Sequence, residues 1–221
     1  MRSAIRGQFP WLERRETGKR RRVTPDRPDL ARLRRDAAGC TRCELHGPAT
    51  QTVFGRGPAS AWLVLVGEQP GDREDVEGAP FVGPAGRVLD TALERAGIHR
   101  DEVYLTNAVK HFRFARAERG KRRIHKTPGA THIRACRPWL DGELAAVRPA
   151  ALATLGAVAA KALLGPRFRI TEQRGRVVGW EGRSLVPTVH PSSILRGPPE
   201  SRDEALAALV ADLEVVARLR P

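Results

Sequence analysis

The sequence predicts an α/β protein, a three-layer α/β/α arrangement around a four-stranded parallel sheet. Four apolar runs of strand length carry this prediction, at residues 61–66, 103–106, 150–155 and 185–189. Between and after them lie segments whose apolar residues recur at helical spacing. Strands that alternate with helices form parallel sheets covered on both faces.

Taken in order, residues 1–28 are Arg-rich, contain Pro10, Pro25 and Pro28, and show no sustained period, which predicts a flexible basic arm. Residues 29–38 predict a short amphipathic helix with Leu30, Leu33 and Ala37 on one side, leading into Cys40-Thr-Arg-Cys43. Residues 84–96 place Val88, Leu89, Ala92, Leu93 and Ala96 on one helical face. Helices follow at 131–147, 157–164 and 200–219, the last with Leu206, Leu209, Val210, Leu213 and Val216. Between Asn107 and Thr131 no helical or strand period is visible, which predicts a long structureless loop around Gly120-Lys-Arg-Arg-Ile-His125-Lys126. Loops of that length inside a domain are usually functional or disordered. The chain divides into an arm over 1–28 and one domain over 29–221.

The chain has 221 residues, 41% of them hydrophobic, enough to build a real core. No apolar run approaches the roughly 20 residues that cross a bilayer. The first forty residues lack an apolar stretch followed by a small-residue cleavage site, which argues against export. Three cysteines do not pair evenly, which argues against a disulfide scaffold. The expectation is a cytoplasmic, nucleoid-associated monomer. Net charge is +14, and such a balance favours a polyanionic partner. An Arg- and Ala-rich composition also arises from GC-rich coding, but here the charge is clustered. Residues 1–38 carry 12 Arg or Lys against 5 Asp or Glu, and residues 113–126 carry 7 against the single Glu118. The second block predicts nucleic-acid contact.

In open parallel sheets, ligands bind at the carboxyl ends of the strands. The first apolar run leads into Gly67-Glu68-Gln69-Pro70-Gly71-Asp72, the second into Asn107, the third into Gly156 and the fourth into His190-Pro-Ser192-Ser. A carboxylate, two amides and an imidazole thus share one rim. An Asn side chain donates and accepts together, so it can read the carbonyl and ring N–H of a pyrimidine. A His donor can stabilise charge on a departing base. Phe81, among the glycines of Gly78-Ala-Pro-Phe81-Val-Gly83-Pro-Ala-Gly86, is either a stacking face or a core residue. Cys40, Cys43 and Cys136 supply three thiols, one short of a four-ligand metal site.

The segments Gly67-Glu-Gln-Pro-Gly71, Pro80-Phe-Val-Gly-Pro-Ala-Gly86, Thr106-Asn-Ala-Val-Lys110 and His190-Pro-Ser-Ser-Ile-Leu-Arg196 resemble the uracil-DNA glycosylase superfamily on its iron–sulfur side. Lys121-Arg-Arg-Ile-His125 resembles the UdgX branch, which becomes covalently attached to DNA at uracil. The resemblance covers about residues 38–221 and implies uracil-containing DNA as partner. It implies that Asn107 recognises uracil, Phe81 stacks on it and His190 stabilises its anion. Glu68 and Gln69 are implied beside the sugar and the nucleophile, with Asp72 nearby. It further implies His125 as covalent nucleophile, Arg123 positioning its loop, and residues 192–196, with Ser192 and Arg196, pressing into the duplex. Efficient hydrolysers of the superfamily often hold an Asp where Gln69 stands, and Gln cannot activate water. The expected reaction is therefore a single turnover ending in a His125–DNA adduct. The resemblance also implies a [4Fe–4S] cluster on Cys40, Cys43, His111 and Cys136 in place of zinc. Two alternatives stand beside this reading: a multiple-turnover glycosylase using Glu68, and a non-catalytic DNA- or RNA-binding module whose rim residues only recognise a flipped base. For His125 alone, the alternative is a surface residue of a phosphate-gripping loop.

Overall fold

In the computed structural model, which describes residues 28–118 and 122–221, the first apolar stripe becomes α1 (Leu30–Ala38). Asp29 caps it by accepting the Ala31 N–H at 2.9 Å. The basic arm expected over 1–28 lies outside the described residues except for Pro28, as do Gly120 and Lys121. The chain continues through β1 (Leu63–Gly67), α2 (Asp72–Glu77), α3 (Pro84–Arg95) and β2 (Val103–Asn107). Next come β3 (Phe114–Arg116), β4 (Arg123–His125), α4 (Ala130–Val147), β5 (Ala151–Leu155) and α5 (Ala157–Leu164). The last part holds α6 (Ile170–Gln173), β6 (Val178–Trp180), β7 (Arg183–Thr188), α7 (Pro191–Arg196) and α8 (Arg202–Ala217).

The main sheet has the order β2-β1-β5-β7-β6. Its first four strands are the parallel ones foreseen, and β6 adds an antiparallel edge that the sequence reading lacked. The β6–β7 connection turns through Glu181 and Gly182, both at positive φ (46° and 76°). That conformation is the two-residue hairpin turn, usually marked by Asn-Gly or Asp-Gly rather than Glu-Gly. On the other edge, the backbone of Arg56 exchanges hydrogen bonds with Leu105 of β2 at 2.8 Å each way, so a loop covers that edge.

Alternate residues of the strands feed two cores. Leu63, Leu65, Leu105 and Ala153 face α3 and α8, where Leu89, Leu93, Leu209 and Leu213 are buried. Val64, Val66, Tyr104 and Leu152 face α4 and α5, meeting Leu140, Leu144 and Leu163. Each fully buried Leu contributes about 2 kcal/mol through its lost apolar surface. The three layers therefore follow from successive strand side chains pointing to opposite faces, both of them buried.

The long loop between Asn107 and Thr131 is a correction. It contains a two-stranded antiparallel hairpin, β3–β4, pairing Phe114 with His125, Ala115 with Ile124 and Arg116 with Arg123. Three-residue strands, two of whose six residues are Arg outside the core, are too short to show a period.

At the far end of β7, Asp212 of α8 accepts Thr188 Oγ1 at 2.5 Å and Arg174 Nη2 at 2.8 Å. Asp212→Ala leaves a buried hydroxyl and a partly solvated guanidinium without their acceptor. Denaturant unfolding is expected to show a loss of about 2–3 kcal/mol; an unchanged midpoint would contradict this role.

Candidate active site

The register of β1 and β2 places Gly67 beside Asn107. A Cβ on Gly67 would overlap Asn107 Oδ1 and lie 2.6 Å from Phe81 Cζ, so only glycine lets this amide and this ring close on one pocket. Phe81 sits at φ 57°, an uncommon conformation for a bulky residue. The surroundings over-determine it. A Cβ on Gly86 would overlap the Phe81 carbonyl oxygen, and the carboxylate of Glu74 accepts backbone N–H groups of Gly71, Phe81 and Gly83. Burial raises the Glu74 pKa, while those three bonds lower it. Glu74 was not foreseen from sequence; the signal was its place three residues after Gly71, the reciprocal capping pattern at the start of α2.

His190 follows β7 and caps α7. Its Nδ1 accepts the backbone N–H of Ser192 at 3.1 Å and lies 2.7 Å from Ser192 Oγ, which in turn accepts Arg196 Nη1 at 2.8 Å. An Nδ1 that accepts a backbone N–H leaves the ring proton on Nε2. Burial above all, then the charges of Arg196 and His125, lowers the His190 pKa to about 4. A neutral imidazole with an outward donor results. It stacks beside Phe81, with ring centroids 6.2 Å apart and planes 26° apart.

The β3–β4 hairpin closes over the same space. Gln69, 5% exposed, donates from Nε2 to the carbonyls of Arg113 (3.2 Å) and Lys126 (3.1 Å), and its Oε1 accepts the Arg113 N–H at 3.1 Å. One side-chain amide therefore holds both stems of the hairpin. Arg123 fixes its outer strand, pairing with Asp72 Oδ1 and Asp75 Oδ2 at 2.5 Å each while lying over the Phe112 and Phe114 rings. His125 Nε2 is 3.5 Å from Glu68 Oε1. Burial raises the Glu68 pKa against the pull of Arg196, and lowers the His125 pKa, with Arg196 acting in the same direction. Glu68 Oε1 is buried without a hydrogen-bond partner.

These groups share a cavity of about 740 Å³, within the range of small-ligand sites. Glu68, Gln69, Asp72, Phe81 and Asn107 line it, and so do His125, His190, Ser192 and Arg196. Of the residues singled out for catalysis or substrate binding, Arg123 is set apart: it stands behind the wall, paired with Asp72 and Asp75. Asp75, buried at the far end of that clamp, was not foreseen; it also accepts the Thr50 N–H at 3.1 Å. In the sequence it reads as one more charge on a short helix, without a signal of its own.

The sulfur residues gather elsewhere. Cys43 and Cys136 share a small apolar cluster with Leu45 and Val109, and all three cysteines are free. Cys40 Sγ accepts Trp139 Nε1–H at 3.1 Å and Cys136 Sγ accepts the Lys110 N–H at 3.4 Å. Burial, with the other two thiols adding to it, raises the Cys136 pKa to about 11. His111 Nε2 lies 2.9 Å from Thr52 Oγ1, while its Nδ1 is buried without a partner. Among the described residues no three His, Cys, Asp or Glu side chains converge on one ion-sized point.

The tautomer of His190 is open to direct measurement. Nitrogen-detected NMR is expected to report a neutral Nε2–H ring from alkaline pH down to about pH 4. A ring that protonates near the ordinary value of 6.5, or carries its proton on Nδ1, would contradict the geometry.

Residues 54–214 match the family model described as the uracil DNA glycosylase superfamily. The chain is 35% identical over 178 residues to the Type-4 uracil-DNA glycosylase of Pyrobaculum aerophilum, covering 77% of this chain and 86% of that protein. It is 37% identical over 159 residues to the Type-4 uracil-DNA glycosylase of Thermotoga maritima, covering 71% and 78%. With that of Sulfurisphaera tokodaii it shares 34% over 178 residues, covering 76% and 77%. A sheet rim with Gly67, Asn107 and His190 at its carboxyl ends, and a family model matched over most of the domain, lead to one statement: this chain belongs to the uracil DNA glycosylase superfamily.

Proposed function

We propose that this protein excises uracil from DNA and remains attached to the abasic sugar through His125, the behaviour of the UdgX branch. The observation that carries the reading is the double hold of Gln69 on the hairpin stems, which keeps His125 at the cavity wall, 3.5 Å from Glu68. The catalytic unit is the domain over 29–221, preceded by a basic arm.

The target nucleotide enters the cavity unstacked from its duplex. Asn107 reads the uracil edge, Phe81 stacks on its face, and the His190 Nε2–H donates to the oxygen that gathers charge as the C1′–N1 bond breaks. His190 donates as a neutral group, which its lowered pKa favours. The sugar left behind is an oxocarbenium-like electrophile. A neutral imidazole held beside it has an effective concentration far above that of a wandering water. One ring nitrogen of His125 bonds to C1′; the proton on the other passes to Glu68 and onward to the departing uracil. The adduct is then a neutral substituted imidazole, a poor leaving group. Gln69, engaged with backbone and unable to take a proton, activates no water. Residues 192–196 lie at the mouth, where Ser192 and Arg196 face the DNA.

Cys40, Cys43, Cys136 and His111 fit a [4Fe–4S] cluster. Free thiols, two of them accepting N–H bonds, and an imidazole nitrogen without a partner make a suitable donor set. The resemblance to the iron–sulfur side of the superfamily favours a cluster over a zinc ion, which would draw on the same four residues. When bound, the group would tie α1, the turn after β2 and α4 together. Anaerobically purified protein is expected to show the broad visible absorbance of sulfur-to-iron charge transfer; colourless protein with stoichiometric zinc would contradict this.

With a uracil-bearing oligonucleotide on a denaturing gel, the parent protein is expected to give a slow-migrating adduct, with one uracil released per protein. His125→Ser is expected to abolish the adduct. An adduct that survives the substitution removes His125 from the role. Uracil released in excess of protein by the parent identifies a multiple-turnover enzyme, with Glu68 activating water. No uracil released leaves a binding module.

The pH dependence has a definite sign. Attack needs His125 neutral and Glu68 ionised; acid removes both, His125 below its ordinary 6.5 and Glu68 above its ordinary 4.5. The rate of adduct formation is expected to be level in neutral and alkaline solution and to fall on acidification, at pH values below the ordinary histidine 6.5. A rate that rises as pH falls would contradict these assignments.

A further inference from the structure

Lys110 and Glu143 form an ion pair closed to solvent on both sides, with Nζ 2.6 Å from Oε2. Taking two charges out of water is costly, and replacing such a pair by neutral groups often stabilises a protein. The chemistry above touches neither residue. What the pair holds explains its presence.

The ammonium of Lys110 has three partners: Glu143 Oε2, Thr106 Oγ1 at 2.6 Å and the carbonyl of Asn107 at 2.9 Å. Glu143 accepts in addition the Thr106 hydroxyl at 2.7 Å, the Gly55 N–H at 2.8 Å and the Tyr104 hydroxyl at 3.2 Å. Thr106 and Asn107 are the last residues of β2, and the turn beyond them lies on the end of β1. There the Ala108 N–H reaches the Gly67 carbonyl at 2.8 Å and the Val109 N–H reaches that of Glu68 at 3.0 Å. The pair thus sits beneath the pocket floor and pins the peptide from which the Asn107 side chain projects. It also anchors that turn to α4 a second time, since the Lys110 N–H is bound to Cys136 Sγ on the same helix. Charge-assisted bonds in a dry interior are short and directional, suited to fixing one backbone orientation.

We propose that Lys110 and Glu143 are a positioning pair for uracil recognition, holding the Asn107 peptide so that its amide meets the pyrimidine edge in register. This rests on the reading of Asn107 as the residue that recognises the base. Neither residue touches substrate; they act through Asn107.

The test compares Lys110→Met with the double variant Lys110→Met/Glu143→Gln, in the full chain, on a uracil-bearing oligonucleotide. Unfolding temperature is read beside the maximal single-turnover excision rate and the half-saturating DNA concentration. Lys110→Met strands a buried carboxylate and is expected to lower the unfolding temperature and the rate together. The double variant removes the stranded charge and is expected to regain the unfolding temperature. Its maximal rate is expected to stay down by about 100-fold, the loss that misplacing a substrate contact by about 1 Å brings. The half-saturating concentration, set by backbone contacts to DNA, is expected to move little. A double variant that regains both unfolding temperature and rate shows a pair that only supports folding, and overturns the proposal. Should the double variant not fold, Thr106→Val, which removes the hydroxyl shared by both partners, is expected to give the same selective loss of rate, and a parent-like rate there overturns the proposal. Asn107→Ala separates the two levels: excision at the parent rate refutes the reading of Asn107 itself. A slow Asn107→Ala beside fast pair variants refutes only the positioning role.

Discussion

The Gln69 amide does for the β3–β4 hairpin what a neighbouring strand does inside a sheet. It offers two donors and an acceptor to backbone groups of Arg113 and Lys126, and so fastens a two-stranded ribbon to the end of β1. A lone hairpin of three-residue strands has little stability of its own. Arg123 adds a second hold, its guanidinium shared between two carboxylates of α2 and lying over two Phe rings. With both in place, His125 is carried on a hairpin whose stem is fastened at two points. The geometry of the cavity follows from that attachment.

The electrostatics of the cavity run in one direction. Burial and the charge of Arg196 lower the pKa of His125 and His190, and burial raises that of Glu68. Both imidazoles are biased toward the neutral form, and the Ser192 N–H fixes the tautomer of His190. Arg196 therefore has a local electrostatic effect. It discourages protonation of two rings and holds Ser192 Oγ against one of them. The surroundings, more than the residue type, set the protonation preference of each ring.

Much of this was legible in the chain. The apolar runs of β1, β2, β5 and β7 foretold the sheet, and the strand-end rule placed Glu68, Asn107 and His190 at one rim. The hairpin escaped because Phe114–Arg116 and Arg123–His125 are too short and too polar to show alternation, and β6 because its turn uses Glu181-Gly182. The attachment of Gln69 was not readable at all: its partners are backbone atoms some forty to sixty positions away, and a backbone acceptor leaves no mark on residue type. Lys110 and Glu143 read as an ordinary lysine and an ordinary helix glutamate, because charge alone does not announce burial. Glu74 stood in the same position, a buried acid inside what reads as a charged helix.

The account turns on whether docking of the hairpin, rather than the mere presence of an imidazole, decides who captures the sugar. Gln69→Met keeps the volume of the side chain and removes its three bonds to the hairpin. The most direct measurement is the ratio of uracil released to protein cross-linked for this variant. The account predicts a ratio well above one, with water taking the place of the displaced His125. A ratio of one, with the adduct forming at the parent rate, would contradict it.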